Sequence, residues 1–441
     1  MSAVRRWLVR TRESPATLWL IVLLGLALRL AAVRSFNSWN PDSAKILVGD
    51  EPGYDNTALQ LLAGQGYTWP GRVPGYPVLL AVLHWITGGS YYAIRYWQAV
   101  IGTAVVPLTY LLGRRAFGRG VGLVAALLAA TSYVLCYQSL HILSEVLFTP
   151  IMLAGALALW RAFESPAGGR FASTGALLGV SDLVRPTLLF APVFLVVPIW
   201  LALGRRWAVR GALACVTGAA LVIAPWMVRN YERYHAIFPL ATSNAILWQG
   251  SPEYYHLIHD KGYSYMRIWT EVIYGPGWQK HDPTSVEGDK WWTRRALRSI
   301  ASEPGTYLRY AGEKLVTYWV GDPAADWGGG PVLSYAAARR VGFQPVFAVL
   351  IILARGLPIV ALLAVLVLRR EWRRLLPIYG ILVYVTLLHA ATHAESRLSE
   401  PFQPLLLVLI IGAVVRLFPR LGADYESAAP AASEAHAART S

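Results

Sequence analysis

Charge is scarce in this 441-residue sequence: only 15% of residues are Asp, Glu, Lys or Arg, against 55% apolar, and the mean hydropathy is +0.42. That balance excludes an ordinary soluble domain, which cannot hide so much apolar surface. Disorder is excluded as well, because 18 Trp, 23 Tyr and 12 Phe and long Leu/Val/Ile/Ala runs are the opposite of a low-hydropathy chain. Cysteine is nearly missing. Cys136 and Cys215 both fall inside apolar runs, which leaves no disulfide framework and no zinc motif. No repeat of fixed period appears, nor the hydropathy symmetry between halves that secondary transporters show.

What the chain has in quantity is apolar length. Crossing ~30 Å of hydrocarbon takes ~20 apolar residues. Stretches near that size run at about 16–33, 95–113, 120–138, 145–160, 171–184, 187–203, 211–227, 347–368, 375–391 and 403–418. The expected fold is therefore an all-α integral membrane protein of about ten transmembrane helices. The stretch at 171–184 is short and carries Asp182, so it and its successor also fit a re-entrant or kinked pair. Tyr76 to Ile86 is too short to cross and is expected to lie in the interface or against the bundle.

The net charge of +15 would suit nucleic acid in a soluble protein, but its distribution says otherwise. With a cytoplasmic N-terminus, the inward loops hold Arg5, Arg6, Arg10 and Arg12, Arg114, Arg115 and Arg119, Arg161 and Arg170, Arg205, Arg206 and Arg210, Arg369, Arg370, Arg373 and Arg374, and Arg416, Arg420 and Arg439. Few acids accompany them: Glu13, Glu164, Glu371, Asp424, Glu426 and Glu434. The positive-inside rule thus accounts for the basicity, and no nucleic-acid partner is expected. The first apolar run lacks an A-x-A-like end and is read as a retained span.

This topology divides the chain into a cytoplasmic N-terminus at 1–15, an N-terminal transmembrane module at 16–228 with an external loop at 34–94, and an extracytoplasmic subdomain of mixed structure at 229–343. C-terminal transmembrane helices at 344–420 and a disordered cytoplasmic tail at 421–441 complete it. Abundant Arg, Ala and Gly point to a bacterial inner membrane.

Most of the acids then lie outside, and several sit beside cations. Gly49-Asp50-Glu51-Pro52-Gly53-Tyr54-Asp55 is a carboxylate-dense turn leading into a helical stretch that ends at Gly64. An N-cap would explain one of those acids, and the turn taken alone favours that reading. A general base or a metal-binding carboxylate pair is the chemical alternative. Glu145 enters an apolar run at its outer mouth, where an ionisable group needs a partner, water or a role. His141, four residues earlier, would share its face if the helix already begins there. Arg29, Arg34, Arg185, Arg229 and Arg355 recur at similar depth, and each would snorkel or seek an anion. The last outer connector is dense in His389, His393, Glu395, Arg397 and Glu400, either a solvated turn or the second wall of a pocket beside Asp50.

With Arg29 at the outer end of the first span, the segments GDEPGYDNTALQLLAGQGY, RVPGYPVLLAVL, LSEVLF, RP at 185–186, APWMVRNY and ESRLSEPFQPLLLVL resemble the polytopic glycosyltransferases of GT-C fold that use lipid-phosphosugar donors, the class of protein O-mannosyltransferases and aminoarabinose transferases. The likeness spans most of the chain and is vague at about 232–343. The resemblance implies inverting transfer of a sugar from a polyprenyl phosphate to a hydroxyl of a glycan, lipid or protein acceptor on the extracytoplasmic face. It implies Asp50 as general base, with Glu51 orienting the acceptor or binding a cation, and Glu145 in support. Arg397, then Arg355, Arg229 and Arg185, are the candidates for the donor phosphate, and Tyr54, Tyr67, His393 and Glu395 for acceptor or sugar. Trp69, Trp248 and Tyr254 are further aromatics for sugar faces, although such residues more often pack or sit in interface belts. Asp50, Glu51, Glu145 and His141 also admit a divalent ion, although hard cations usually want more oxygen ligands. Relatives often carry Tyr after the closing Arg, where this chain has Leu398.

Overall fold

A computed structural model describes residues 15–39, 47–238, 240–243, 245–321 and 344–418. The expected N-terminus (1–14 of it) and the tail at 421–441 lie outside the described residues. Among the described residues the chain is helical throughout, with no strand. Five apolar helical stretches there are long enough to cross a membrane: Pro15–Ser38, Glu145–Glu164, Arg205–Tyr234, Arg355–Ala391 and Ser396–Leu417. Gly75–Thr87, Arg119–Thr131 and Ala191–Leu203 are shorter apolar helices. This is an integral membrane protein.

The helices that frame the molecule are α1 (Pro15–Trp39), α2 (Glu51–Leu62), α3 (Gly75–Thr87), α4 (Tyr91–Thr103), α5 (Val105–Phe117), α6 (Arg119–Thr131), α7 (Glu145–Glu164), α8 (Gly168–Val184) and α9 (Arg205–Tyr234). After them come α10 (Val286–Ser302), α11 (Pro304–Val320), α12 (Gln344–Val367), α13 (Trp372–Ala391) and α14 (Gln403–Leu417). Each apolar stretch read from the sequence coincides with helix, but several are broken. The stretch 95–113 is divided between α4 and α5 at Ala104, and 120–138 stops at Ser132 before a short helix, Tyr133–Tyr137. Likewise 187–203 becomes Ala191–Phe194 and Val196–Leu203. At 37 residues, Arg355–Ala391 would be ~55 Å long as one rod. It is instead α12 and α13, separated by the single turn Leu368–Glu371. The described part of 229–343, expected to be mixed, is helical as well. In α10 the buried Val286, Trp292 and Ala296 follow a helical period.

Tight reversals fall where glycine permits them. Gly118 (φ +90°) separates α5 from α6, and Gly204 (φ +83°) separates Val196–Leu203 from α9, a backbone region that side chains with a Cβ avoid. Helices α8 and α9 touch backbone to backbone: a Cβ on Gly175 would strike the Cys215 carbonyl, and one on Gly218 that of Ala172. Small residues are what allow such an approach in lipid. On the outside, α1 presents Trp19, Leu20, Leu23 and Leu24, as a lipid-facing helix should.

Two ends of the bundle differ in chemistry. At one, Arg115 pairs with Glu164 (2.6 Å), Arg374 donates to the Arg115 carbonyl (3.2 Å) and Arg416 faces Glu371 (3.5 Å). Glu145 begins the same helix that Glu164 ends, so it lies ~30 Å away at the other. The short apolar helix α3 packs against α2, α4 and α8 on one face and leaves Val78, Val82, Trp85 and Ile86 exposed on the other. Residues 245–296 contribute a second core, in which Trp248, Tyr254, Ile268 and Trp292 are buried.

Gly175→Leu should force α8 and α9 apart and cost at least the ~1–3 kcal/mol typical of overpacking. A lowered thermal midpoint in detergent is the expected result, whereas Gly168→Leu, where a Cβ meets nothing, should leave it unchanged.

Candidate active site

Gly49, at φ +61°, turns the chain so that Asp50 stands at the N-cap of α2. Its side chain makes no capping bond. Both oxygens go elsewhere: Oδ1 accepts from Arg72 Nη2 (2.6 Å) and Oδ2 from Arg397 Nη2 (2.9 Å). The cap reading, favoured by the turn in isolation, is therefore not what this carboxylate does. Burial raises its pKa, but the two guanidinium groups outweigh that and hold the carboxyl well below the usual range.

Behind this pair lies a second one. Glu145 Oε1 stands 2.8 Å from Arg185 Nη1 and 3.8 Å from Arg397 Nε. Arg185 is delivered there by the chain itself. It ends α8 in an extended conformation (φ −155°, ψ 118°), as a residue before proline must, and Asp182 holds the turn by accepting from the Leu188 amide (2.7 Å). The result is one alternating row, Arg72, Asp50, Arg397, Glu145, Arg185. Three cations alternate with two carboxylates along the row, and a third carboxylate, Glu395, acts on Arg397 from beside it. Asp50 and Arg397 side chains are 37% and 34% exposed, whereas Glu145 is 4% exposed, so the row opens at the Asp50–Arg397 end.

Glu51 points the other way. It is buried and accepts from the Val48 amide (2.9 Å), the Ile142 amide (3.0 Å) and His141 Nδ1 (2.8 Å). This carboxylate locks the Asp50 turn onto the segment before α7. His141 does not share a helix face with Glu145, because α7 starts only at Glu145. Asp55, next on α2, takes His84 (2.6 Å) and Tyr91 (2.6 Å) and fastens α2 to α3 and α4. Tyr54 donates to Ser144 (3.1 Å), and the Arg72 guanidinium lies 4.8 Å over its ring.

The remaining candidates divide. Glu395 bonds His393 (2.8 Å) and feels both Arg397 and Asp50; burial raises its carboxyl, yet His393 and Arg397 bring it below its ordinary value. Tyr67 spends its hydroxyl on the Val73 carbonyl (3.0 Å), which steadies the Arg72 turn. Arg229 stays outside the row, donating to Asn230 and to the Tyr67 carbonyl beneath Trp226 and Tyr234. Arg355 donates to the Val320 carbonyl (2.7 Å) and lines a small cavity of about 50 Å³ with Ser396, Ser399 and Glu400. Trp248 and Tyr254 are buried against each other in the second core, out of reach of a sugar, and only Trp69 of the proposed stacking aromatics lies at the row, beside Arg72. Asp50, Glu51, Glu145 and His141 do not converge: among the described residues no three His, Cys, Asp or Glu side chains group to hold a metal.

Arg72 is the residue that sequence reasoning missed. Its signal was present, an arginine opening the RVPGYP segment on the same loop as Asp50.

Residues 70–228, about a third of the chain, match the family model for dolichyl-phosphate-mannose-protein mannosyltransferase. That segment contains Arg72, Glu145 and Arg185 but stops short of Asp50 and Arg397. No curated protein matches the chain. Among solved structures, the chain is similar to ArnT from Cupriavidus metallidurans bound to undecaprenyl phosphate, at 17% identity over 92% of this chain and 78% of that one, with a TM-score of 0.42.

Glu51→Gln should lower stability by ~1–3 kcal/mol at neutral pH, since an amide cannot satisfy three donors. Burial raises the Glu51 carboxyl, but His141 and the two amides more than offset this and its pKa is lowered. The unfolded chain therefore binds the proton more readily, and the benefit is full above the unfolded value of ~4.3 and lost as pH falls through the folded one. Thermal midpoints of parent and variant should converge in acid.

Proposed function

We propose that this chain is a membrane glycosyltransferase that takes a sugar from a polyprenyl-phosphate carrier and transfers it, with inversion, to an acceptor hydroxyl on the extracytoplasmic face. The observation that carries this reading is the row in which Asp50 is held between two arginines, Arg72 and Arg397, at the end of the bundle away from the Arg115, Arg374 and Arg416 cluster. Basic loops mark the cytoplasmic side in membrane proteins, which supports an outer position for the row. Support also comes from the family match over 70–228, whose description names a dolichyl-phosphate-linked sugar.

A resting Asp50 clasped by two guanidinium groups is a weak base. A donor phosphate changes that. Its oxygens compete for Arg72 and Arg397, both suited to bidentate phosphate contacts, and release the carboxylate. Freed of its partners, Asp50 regains basicity and takes the proton of the acceptor hydroxyl as that oxygen bonds to the anomeric carbon. The bond from that carbon to the phosphate oxygen breaks, and the phosphate leaves with the electron pair, held by Arg397 and Arg72. A single displacement inverts the centre. Glu145, itself paired with Arg185, aligns Arg397. Glu51 acts at one remove, by fixing the Asp50 turn. The base is thus uncovered only when the donor is in place.

Asp50→Asn should reduce transfer from a labelled polyprenyl-phosphate sugar by ~10²- to 10⁴-fold. Donor binding should persist or tighten, because the guanidinium groups lose a competitor. Full turnover in the variant would remove Asp50 as base. Arg397→Gln should weaken donor binding and lower turnover by ~10²- to 10³-fold; unchanged kinetics would take Arg397 out of phosphate stabilisation.

A further inference from the structure

A second concavity lies away from the charge row. Between the short helix Pro252–His259 and α10 is a cavity of about 690 Å³, within the range of small-molecule sites. Its wall contains acids and bases, but the acids are already engaged. Glu253 accepts from Arg295 Nε (3.0 and 2.9 Å) and from Trp248 Nε1 (2.9 Å), and Glu303 takes His256 Nε2 (2.8 Å) and Thr306 (3.0 Å).

Three cations on the same wall, Lys261, Arg294 and Arg298, have no carboxylate within ion-pair distance among the described residues. Arg294 and Arg298 stand four residues apart on α10, so their side chains leave one face a single turn apart. Like charges at that spacing destabilise an isolated helix. An oxyanion between the two forks would reverse the sign of that interaction. A convex, solvated face could carry such residues without meaning. Here they rim a concavity.

The cavity is tied to the charge row through the backbone. The Thr242 amide donates to the Pro70 carbonyl (3.0 Å), two residues before Arg72, and its hydroxyl donates to the Thr284 carbonyl (2.9 Å). Ser285 caps α10 immediately afterwards. Arg298 is thirteen residues further along, a rise of ~20 Å.

We infer that this cavity anchors an oxyanion, a phosphate ester or a carboxylate, carried by an extended acceptor whose reacting hydroxyl reaches the Asp50 end of the row. The acceptor role rests on the transferase reading; the oxyanion site does not. The acceptor class is accordingly anionic.

The test uses the full chain in phosphatidylcholine nanodiscs, titrated calorimetrically with glucose 1-phosphate and with glucose. Arg397→Gln is present throughout to weaken binding at the row. Glucose 1-phosphate should bind and glucose should not, and adding R294Q/R298Q should weaken binding at least about tenfold, the loss of charge-assisted contacts. Equal binding with and without R294Q/R298Q overturns the site. Binding that vanishes when phosphatidylglycerol replaces phosphatidylcholine also overturns the acceptor assignment, since a lipid headgroup then fills the cavity. Because binding is read without turnover, intact R294/R298-dependent binding beside a failed transfer assay counts against the transferase reading and not against the site.

Discussion

The Asp50–Arg397 ion pair is the contact on which the rest of the site depends. It joins residues 347 positions apart and sets the last connector against the first loop. Charges at the edge of a hydrocarbon layer are costly unless each finds an opposite partner, and this pair begins a chain of such partnerships. Asp50 needs Arg72 and Arg397, Arg397 leans on Glu145, and Glu145 is buried with Arg185. Removing any member leaves a neighbour uncompensated.

Around the row the fold supplies rigidity from the carboxylates Glu51 and Asp55. Glu51 saturates its oxygens with two amides and His141, and Asp55 does the same with His84 and Tyr91. Buried acids so fully bonded behave as rivets. The second core is fastened to the same region by Lys314, whose ammonium donates to the carbonyls of Gly250 (3.1 Å) and Thr392 (2.7 Å), five residues before Arg397. The helices that carry the oxyanion cavity are thereby held against the connector that carries the row.

Much of this was legible in the sequence. Apolar length and the basic loops between the apolar runs announced a helical membrane protein, because crossing hydrocarbon imposes both features locally, residue by residue. The acid-rich turn at Asp50, Glu145 at a span mouth and the Arg397 connector could be singled out, since ionisable groups in such surroundings are rarely idle. The breaks at Ala104 and Ser132 could not be read, because an apolar run looks the same whether or not a helix turns within it.

The sequence by itself determined the solvent this chain lives in and which charged residues needed an explanation. Tertiary structure decided what each of them does. Glu51 and Asp50 are adjacent and chemically alike, yet one is saturated by backbone amides and His141 while the other meets two guanidinium groups. Arg229 and Arg355 stood beside Arg397 and Arg185 as candidates until packing placed them against aromatic rings and a carbonyl, while Arg72, not among them, meets Asp50. The physical reason is that a charge takes its role from its partners, and here those partners lie from 22 to 347 residues away along the chain.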